Sequence, residues 1–567
     1  MPVELRPARR VIAAIAVTLS ACAHPSSGPR SPAPESAAPP GMIAASDLQQ
    51  RVYLFADDSM AGRYPGTRQY DQATAYVASE FRRLGLTPGG DSGGYFQFVP
   101  FVATVLDTSA RLMTPDGPVA LWRDYIPINA LPVAASFNAD GAPAIYAGVL
   151  RDSMPVPSPD VVAGKLVVFT LGRTRDGQLD TRSTRFLPRA RMQSAAALAV
   201  VYPDGPSPAL VATYHQRRFT LPQPPATQRS PILLVIGPRL ATALFGAAVE
   251  SVPVGTVHAP MLQGRVRFGP PDTVWARNVV GILPGVDPGR RDEYVALGAH
   301  NDHIGVAPTA VDHDSLRAYN ILSFRLHGDG PAAGNASTAH VDVVVNVDSL
   351  RRIRPPRRDS VFNGADDDGA GTASLLAIAQ AFATDPRRPA RSVLFISHAG
   401  EEQGLLGSRW YADHPTVPRD SIVAYLNMDL LGAGYAADSA RAGPRYLQAG
   451  GARRLSSELG ALIDSVNAAL PEPMAIDYSW DVAGHPSQKY CRSDHASYAR
   501  YGIPVSFFST GYSVDYHQVT DEPQYLDYAH LARVARLVYA VARRVADRDH
   551  RPIVDHPKPD PSAPCRQ

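Results

Sequence analysis

Between residues 294 and 547, apolar runs of strand length alternate with helical stretches, and several runs stop on ionisable side chains. "EYVALGAH" ends at His300, with Asp302 and His303 just beyond; "RSVLFISHAGEE" ends in Glu401 and Glu402; "SIVAYLNMD" ends in Asp429. "GTASLLAIAQAFA" reads as a helix between them, and so does 527–547, where Leu531, Val534, Val538, Val541 and Val545 recur at helical spacing. Continuous apolar strands interleaved with helices predict an α/β fold, a mostly parallel mixed sheet sandwiched by helices. Ligands of such sheets collect beyond the carboxyl ends of the strands.

That rim is unusually polar. "NGADDDGAG" brings Asp366, Asp367 and Asp368 to the turn before a helix, and "CRSDHASY" and "GYSVDYHQVTDEP", the latter with His517, follow late in the sequence. Singly, each has an ordinary explanation: a helix cap, a solvated turn, a structural histidine. Together they would place many carboxylates and two or more histidines on one rim, and the repulsion is well relieved only by a cation. Histidine with Asp and Glu, and no cysteine, suits zinc or another borderline divalent ion in an open catalytic site. The carboxylate count points to two ions sharing a bridging carboxylate. Neighbours in an extended segment point in opposite directions. One of Glu401 and Glu402 can therefore bind metal while the other acts as general base on the attacking water.

Elsewhere the sequence is read more simply. Its 567 residues allow two or three domains, and a net charge of +2 gives no sign of a nucleic-acid surface. "RRIRPPRRDS" (351–360) reads as a solvated loop held open by Pro355 and Pro356. Residues 69–86 form an amphipathic helix, and from about 110 short β-like runs dominate, among them "GKLVVFTLG", "AVVYPDG" and "SPILLVIGP", with one amphipathic stretch at 189–199. At the start, a basic segment, a short apolar segment and "LSAC" resemble a bacterial lipoprotein signal peptide (1–21) that would leave Cys22 lipidated. A Pro/Ser-rich tether (22–41) follows. The expectation is an exported bacterial lipoprotein of the cell envelope, in the periplasm or at a membrane surface, with plain secretion as the alternative. Cys491 and Cys565 are the remaining cysteines, and their pairing is left open.

"GAHNDHIG", "NGADDDGAG", "AGEEQGLLGS", "LNMDLLG", "SDHASY" and "DYHQVTDE", in this order, resemble the co-catalytic dizinc exopeptidases, a family that includes bacterial leucine aminopeptidases, glutamate carboxypeptidase II and glutaminyl cyclases. The resemblance implies a peptidase domain in two parts, 42–109 and 269–549. Between them lies a β-rich protease-associated insert (110–268), and a Pro-rich tail (550–567) follows. It implies two Zn2+ ions, His300 and Asp429 on one, Glu402 and His517 on the other, and Asp367 bridging. Glu401 would be the general base, Asp302 the support of His300, and Tyr490 or Tyr516 the donor to the oxyanion, with His303 structural. The activity implied is that of an aminopeptidase acting on peptides. Alternatives are a carboxypeptidase or dipeptidase using Lys489 and Arg492, a glutaminyl cyclase, which the insert argues against, and a non-catalytic binding module. The long link at 304–362 departs from the family pattern, and "HVDVVVNVD" (340–348) within it predicts a strand.

Overall fold

The computed structural model describes residues 43–567 except 110, 129–135, 152–153, 174–178, 181–182, 185–186, 216, 223–230, 328–343, 434–442 and 486–487. The expected leader (1–21) and tether (22–41), with Cys22, therefore lie outside the described residues. A nine-stranded mixed sheet organises the rest. Its strands are β1 (Thr87–Pro88), β2 (Phe96–Ala103), β3 (Asp272–Leu283), β4 (Tyr294–His300), β5 (Ser392–His398), β6 (Ile422–Met428), β7 (Tyr446–Gly450), β8 (Ala475–Asp477) and β9 (Val505–Ser509). The order is β1-β3-β5-β4-β6-β9-β7-β8, with β2 also paired to β3. The four central strands, β5, β4, β6 and β9, run parallel, while β1, β2 and β3 join antiparallel on one side and β7 on the other.

Side chains alternate across these strands, so each face has its own apolar layer. Val295, Leu297 and Ala299 join the core covered by α1 (Ala45–Phe55), α2 (Arg68–Arg83), α3 (Gly371–Thr384) and α7 (Tyr528–Asp547). Ala296 faces the other layer, with Tyr411 of α4 (Leu406–Asp413) and Tyr498 of α6 (His495–Ala499), while α5 (Ser457–Ala468) covers the first face near β7. The five spaced apolar residues of α7 are all fully buried. Among the described residues, no helix is long and apolar enough to cross a membrane. Gly371 starts α3 where a Cβ would lie 2.5 Å from the Met428 carbonyl. This close approach brings the Asp366–Asp368 turn against the end of β6.

The second β-rich body lies between β2 and β3, which pair with each other, so the chain leaves and re-enters the main sheet at neighbouring points. A six-stranded sheet and a four-stranded sheet build it. The apolar runs at 166–170, 197–201 and 232–236 are fully buried parallel strands whose alternate residues feed two separate cores. The stretch 189–199 forms a single turn at Arg189–Arg191 and then enters the strand Ala197–Val201, because "ALAVV" pairs on both sides. Phe219 packs with Phe101 and Leu406 in a cluster shared with the main body.

The link at 304–362 is structured too. Val306–Asp312 pairs with Arg358–Val361, and helices occupy His313–His327 and Val347–Ile353. The expected strand at 340–348 falls partly outside the described residues. Within them, Asn346 caps the second helix by accepting from Ser349 N at 2.9 Å, so Val347 and Asp348 are helical. Within the basic run 351–360, the segment through Pro355 and Pro356 is an exposed loop, as expected, between a helix that ends at Ile353 and a strand that begins at Arg358. Three arginines of the run are nonetheless paired. Arg351 pairs with Asp312, Arg354 with Asp314 at 2.8 Å, and Arg357 grips both oxygens of Glu522 at 3.1 and 2.7 Å. Cys491 and Cys565 form a disulfide.

Arg63, fully buried, joins the N-terminal segment to the polar rim. Its guanidinium donates to the carbonyls of Phe55 (3.1 Å), Asn301 (3.2 Å), Asn363 (2.6 Å), Gly364 (2.9 Å) and Asp367 (3.4 Å). Removing it leaves several buried acceptors without donors, each a cost of about 1–3 kcal/mol. Arg63→Met should therefore lower unfolding stability by about 3 kcal/mol or more, read as the shift in urea midpoint. An unchanged midpoint would show that these five bonds are replaced by water without loss.

Candidate metal centre

The parallel register sets the rim, because His300 of β4 lies directly beside His398 of β5. His300 Nε2 stands 3.0 Å from Asp367 Oδ1 and 3.7 Å from Asp429 Oδ1. His517 Nε2 stands 3.1 Å from Asp367 Oδ2 and 3.0 Å from Glu402 Oε2. The two oxygens of Asp367 thus face two different imidazoles. Its neighbours are otherwise engaged. Asp366 Oδ1 accepts from Gly432 N at 2.5 Å, and Asp368 accepts from His300 N at 3.0 Å and Gly371 N at 2.9 Å. Asp368 lies within reach of an ion shared with His300 and Asp429, but those two amides already use both its oxygens. The three consecutive aspartates therefore have three separate jobs.

Support comes from several loops. Asp302 Oδ1 accepts from Glu401 N at 3.0 Å, and the Asp302 main-chain carbonyl meets His300 Nδ1 at 3.1 Å, so one residue steadies both through different groups. His303 Nδ1 meets Glu402 Oε1 at 2.7 Å, a holding contact behind Glu402. Asp521 accepts from the amides of Asp366 (2.9 Å) and Asp367 (3.1 Å), and Ser493 Oγ donates to Asp429 Oδ2 at 2.7 Å. The link at 304–362 holds the loop on either side of His517. His313 Nε2 is 2.9 Å from Glu522 and Arg317 is 3.3 Å from Asp515.

Glu401 and Glu402 do not lie in an extended segment. They sit in a turn after β5, with Gly404 N bonded to Glu401 O at 2.8 Å and Gly400 at φ +62°. The turn separates them all the same: Glu402 faces His303 and His517, while Glu401 lines a small cavity with Asp367, Asp429 and Tyr516. Tyr516 stacks on His517 with ring centres 3.8 Å apart. Tyr490 is not among the residues lining that cavity. It packs in the apolar layer with Val505 and Ile503, under the Arg454 guanidinium at 4.3 Å. Arg63, Asp521 and Ser493 went unassigned in the sequence. Asp521 and Ser493 stand inside motifs already singled out, but nothing local distinguishes Arg63 in "AGRYPG".

The charge balance shows what the rim requires. Burial, reinforced by neighbouring carboxylates, drives Asp366, Asp368 and Glu401 well above the carboxylate range, and pushes Asp494 and Asp521 up to about 7. Burial opposes protonation of the histidines, yet Asp302, Asp367 and Asp429 hold His300 well above its ordinary value. Glu402 and Asp367 push His517 up to about 10. In the protein alone, protons carry the positive charge that this cluster demands, and divalent ions would carry it better. Among the described residues, Asp429 Oδ1 and His517 Nε2 are buried without a hydrogen-bond partner, both aimed between the carboxylates and imidazoles. Nitrogen and oxygen donors of this kind fit zinc in an open site.

Residues 324–542 match the family model for peptidase family M28. A probable zinc metalloprotease of Pyricularia oryzae is 29% identical over 221 residues, 32% of this chain and 42% of that protein. Leucine aminopeptidase 1 of Uncinocarpus reesii is 29% identical over 195 residues, 32% of this chain and 46% of that protein. The chain thus spans less than half the length of these curated relatives. Among solved structures, an aminopeptidase from Aneurinibacillus sp. strain AM-1 has a TM-score of 0.52 at 15% identity, covering 91% of this chain and 97% of that one. A zinc aminopeptidase from Bacillus subtilis has a TM-score of 0.50 at 15% identity, covering 91% and 98%. The fold is therefore that of the zinc aminopeptidases. Residues 324–542 are thus similar to peptidase family M28, in keeping with the resemblance to the co-catalytic zinc exopeptidases.

A group whose folded-state pKa is raised contributes stability that is present below its unfolded pKa and lost as pH climbs through the folded one. For His517 that window runs from 6.5 to about 10, and for Asp494 and Asp521 from 3.8 to about 7. Metal-stripped protein should lose thermal stability steadily between about pH 5 and about pH 9, while zinc-loaded protein declines less. Scanning calorimetry across that range is the check, and parallel curves with and without zinc would count against the rim as a cation site.

Proposed function

We propose that this protein is a zinc-dependent aminopeptidase that removes N-terminal residues from peptides. The observation that carries the reading is Asp367 set between His300 and His517, with Glu401 beside them, in an M28 fold. His300, Asp429 and Asp367 would hold one zinc ion, and Glu402, His517 and Asp367 a second. Zinc at these positions supplies a Lewis acid for the scissile carbonyl and makes water acidic enough to attack near neutral pH.

The protein's own groups do the rest. Glu401, raised by burial, accepts the proton of the attacking water and returns it to the leaving amine. Burial also holds the Tyr516 hydroxyl protonated, and from the cavity wall it donates to the developing oxyanion. Asp302 fixes the backbone of Glu401 through its carboxylate and the ring of His300 through its main-chain carbonyl, so base and ligand keep their separation. The β-rich body between β2 and β3 is read with this as a protease-associated domain, on its place in the chain and its make-up.

Glu401→Gln should lower kcat by about 10²–10⁴-fold while zinc content stays unchanged. Turnover on aminoacyl anilides is measured alongside zinc by atomic absorption. Near-normal turnover would remove Glu401 from the mechanism. The proposal extends to export and lipid attachment at Cys22, on the strength of the basic, apolar and "LSAC" segments. Growth with labelled fatty acid should label the protein but not a Cys22→Ser variant, and equal labelling of both would end that part of the reading.

A further inference from the structure

Away from the rim, another group of ligand-type side chains meets where the link at 304–362 joins the loop after His517. His313, Asp359 and Glu522 each bring one donor atom within 4.8 Å of the others. Paired strands build this meeting. Val306–Asp312 pairs with Arg358–Val361 so that Asp359 stands opposite Val311, and His313 N carries the ladder on by donating to Arg357 O at 2.9 Å. His313 is fully buried and Glu522 only 6% exposed, while Asp359 is half-buried. The histidine is the informative member. Its Nδ1 meets Asp314 Oδ1 at 3.3 Å, and Asp314 is itself held by Arg354 at 2.8 Å. A carboxylate behind one ring nitrogen selects the tautomer that leaves a lone pair on the other, as it does behind metal-binding histidines. That other nitrogen, Nε2, stands 2.9 Å from Glu522 yet makes no hydrogen bond with it. His517 Nε2 shows the same arrangement at the rim, 3.0 Å from Glu402 and 3.1 Å from Asp367 with no hydrogen bond.

A ring-nitrogen lone pair set against a carboxylate oxygen is two acceptors facing each other, and burial makes that costly unless a cation lies between them. The partners of the two acids leave room for one. Arg357 donates to both oxygens of Glu522 and Gln524 to one of them, so about one of the four lone-pair positions of this carboxylate stays open. Asp359 Oδ1 accepts from Val361 N at 3.0 Å. Among the described residues Asp359 has no lysine or arginine at ion-pair distance, and the chief charges acting on it are those of Glu522, Asp58 and His313. We propose that His313, Asp359 and Glu522 form a further binding site for a divalent ion of the zinc type, separate from the metal-ligand rim. One imidazole and two carboxylates are a nitrogen and oxygen donor set that zinc accepts, with a position left for water. An ion there ties the link, through His313 and Asp359, to the loop five residues beyond His517, through Glu522. None of the three residues is a rim ligand or the base, so the site does not depend on the aminopeptidase reading.

The full chain is stripped with a chelator, dialysed against zinc chloride, and its zinc counted by atomic absorption. Asp359→Asn should hold about one zinc ion fewer per chain than the wild type. Asp367→Asn, which disables the rim, should keep about one ion that is lost when Asp359→Asn is added to it. Crystals of the zinc-loaded wild type should show an anomalous peak at the zinc edge among His313, Asp359 and Glu522. That measurement needs no variant, so it decides the matter even where Asp359→Asn fails to fold. Equal zinc in the wild type and Asp359→Asn, or an anomalous map that is blank among these residues, overturns the proposal and assigns the space beside Nε2 to a proton shared with Glu522. The rim is tested apart: if Asp367→Asn loses no zinc while Asp359→Asn does, the rim reading fails and this site stands.

Discussion

Carboxylates buried side by side repel one another unless positive charge lies between them, and most of this protein's functional architecture follows from that constraint. Asp366, Asp367, Asp368, Glu402, Asp429 and Asp521 come from four separate loops, each anchored to a different strand or helix end. A loop held only by its own turn would swing outward to hydrate its acid. Here the backbone is held from behind: Arg63 binds five carbonyls, Asp521 two amides, and Asp302 the amide of Glu401. The carboxylates are thus kept at separations suited to an ion, and relaxation away from one another is blocked.

The link at 304–362 contributes to the same restraint from the opposite side. His517 adopts φ +56°, in the left-handed region that residues other than glycine enter uncommonly, histidine more readily than most. Arg317 and Arg357 draw Asp515 and Glu522 against this link, two residues before and five residues after His517 in sequence. What departs from the family pattern in sequence therefore serves the shared site in space. The pairing of β2 with β3 shows the same economy: a whole second body is added beside the antiparallel strands, away from the parallel strands that end at the carboxylate rim.

The architecture was legible where a periodic signal extends over many residues. Parallel strands read as unbroken apolar runs, α7 as a repeat of five buried residues, and the rim as ionisable groups at successive strand ends. Reading failed where partners are distant. The exposed loop in 351–360 was legible, but the ion pairs of its arginines were not, because Asp312, Asp314 and Glu522 could not be known to face them. "HVDVVVNVD" has the composition of a strand, but the Asn346 cap turns its end into a helix. Arg63 carried no local mark, since its acceptors are carbonyls contributed by three other segments. Tyr490 and Tyr516 occupy comparable positions in their motifs, and only the packing shows which one reaches the cavity.

The bond between Cys491 and Cys565 lies one residue from Arg492 and two from Lys489. Beyond it, the Gln567 side chain accepts from Tyr490 N at 2.9 Å and donates to Trp480 O at 2.9 Å, fastening the same loop. The loop that brings Lys489 and Arg492 to the cavity is therefore braced by a covalent tie that forms where thiols are oxidised. A chain folded in a reducing cytosol lacks this brace behind Lys489 and Arg492. The redox state of the compartment in which the chain folds thus bears on the loop that carries Lys489 and Arg492.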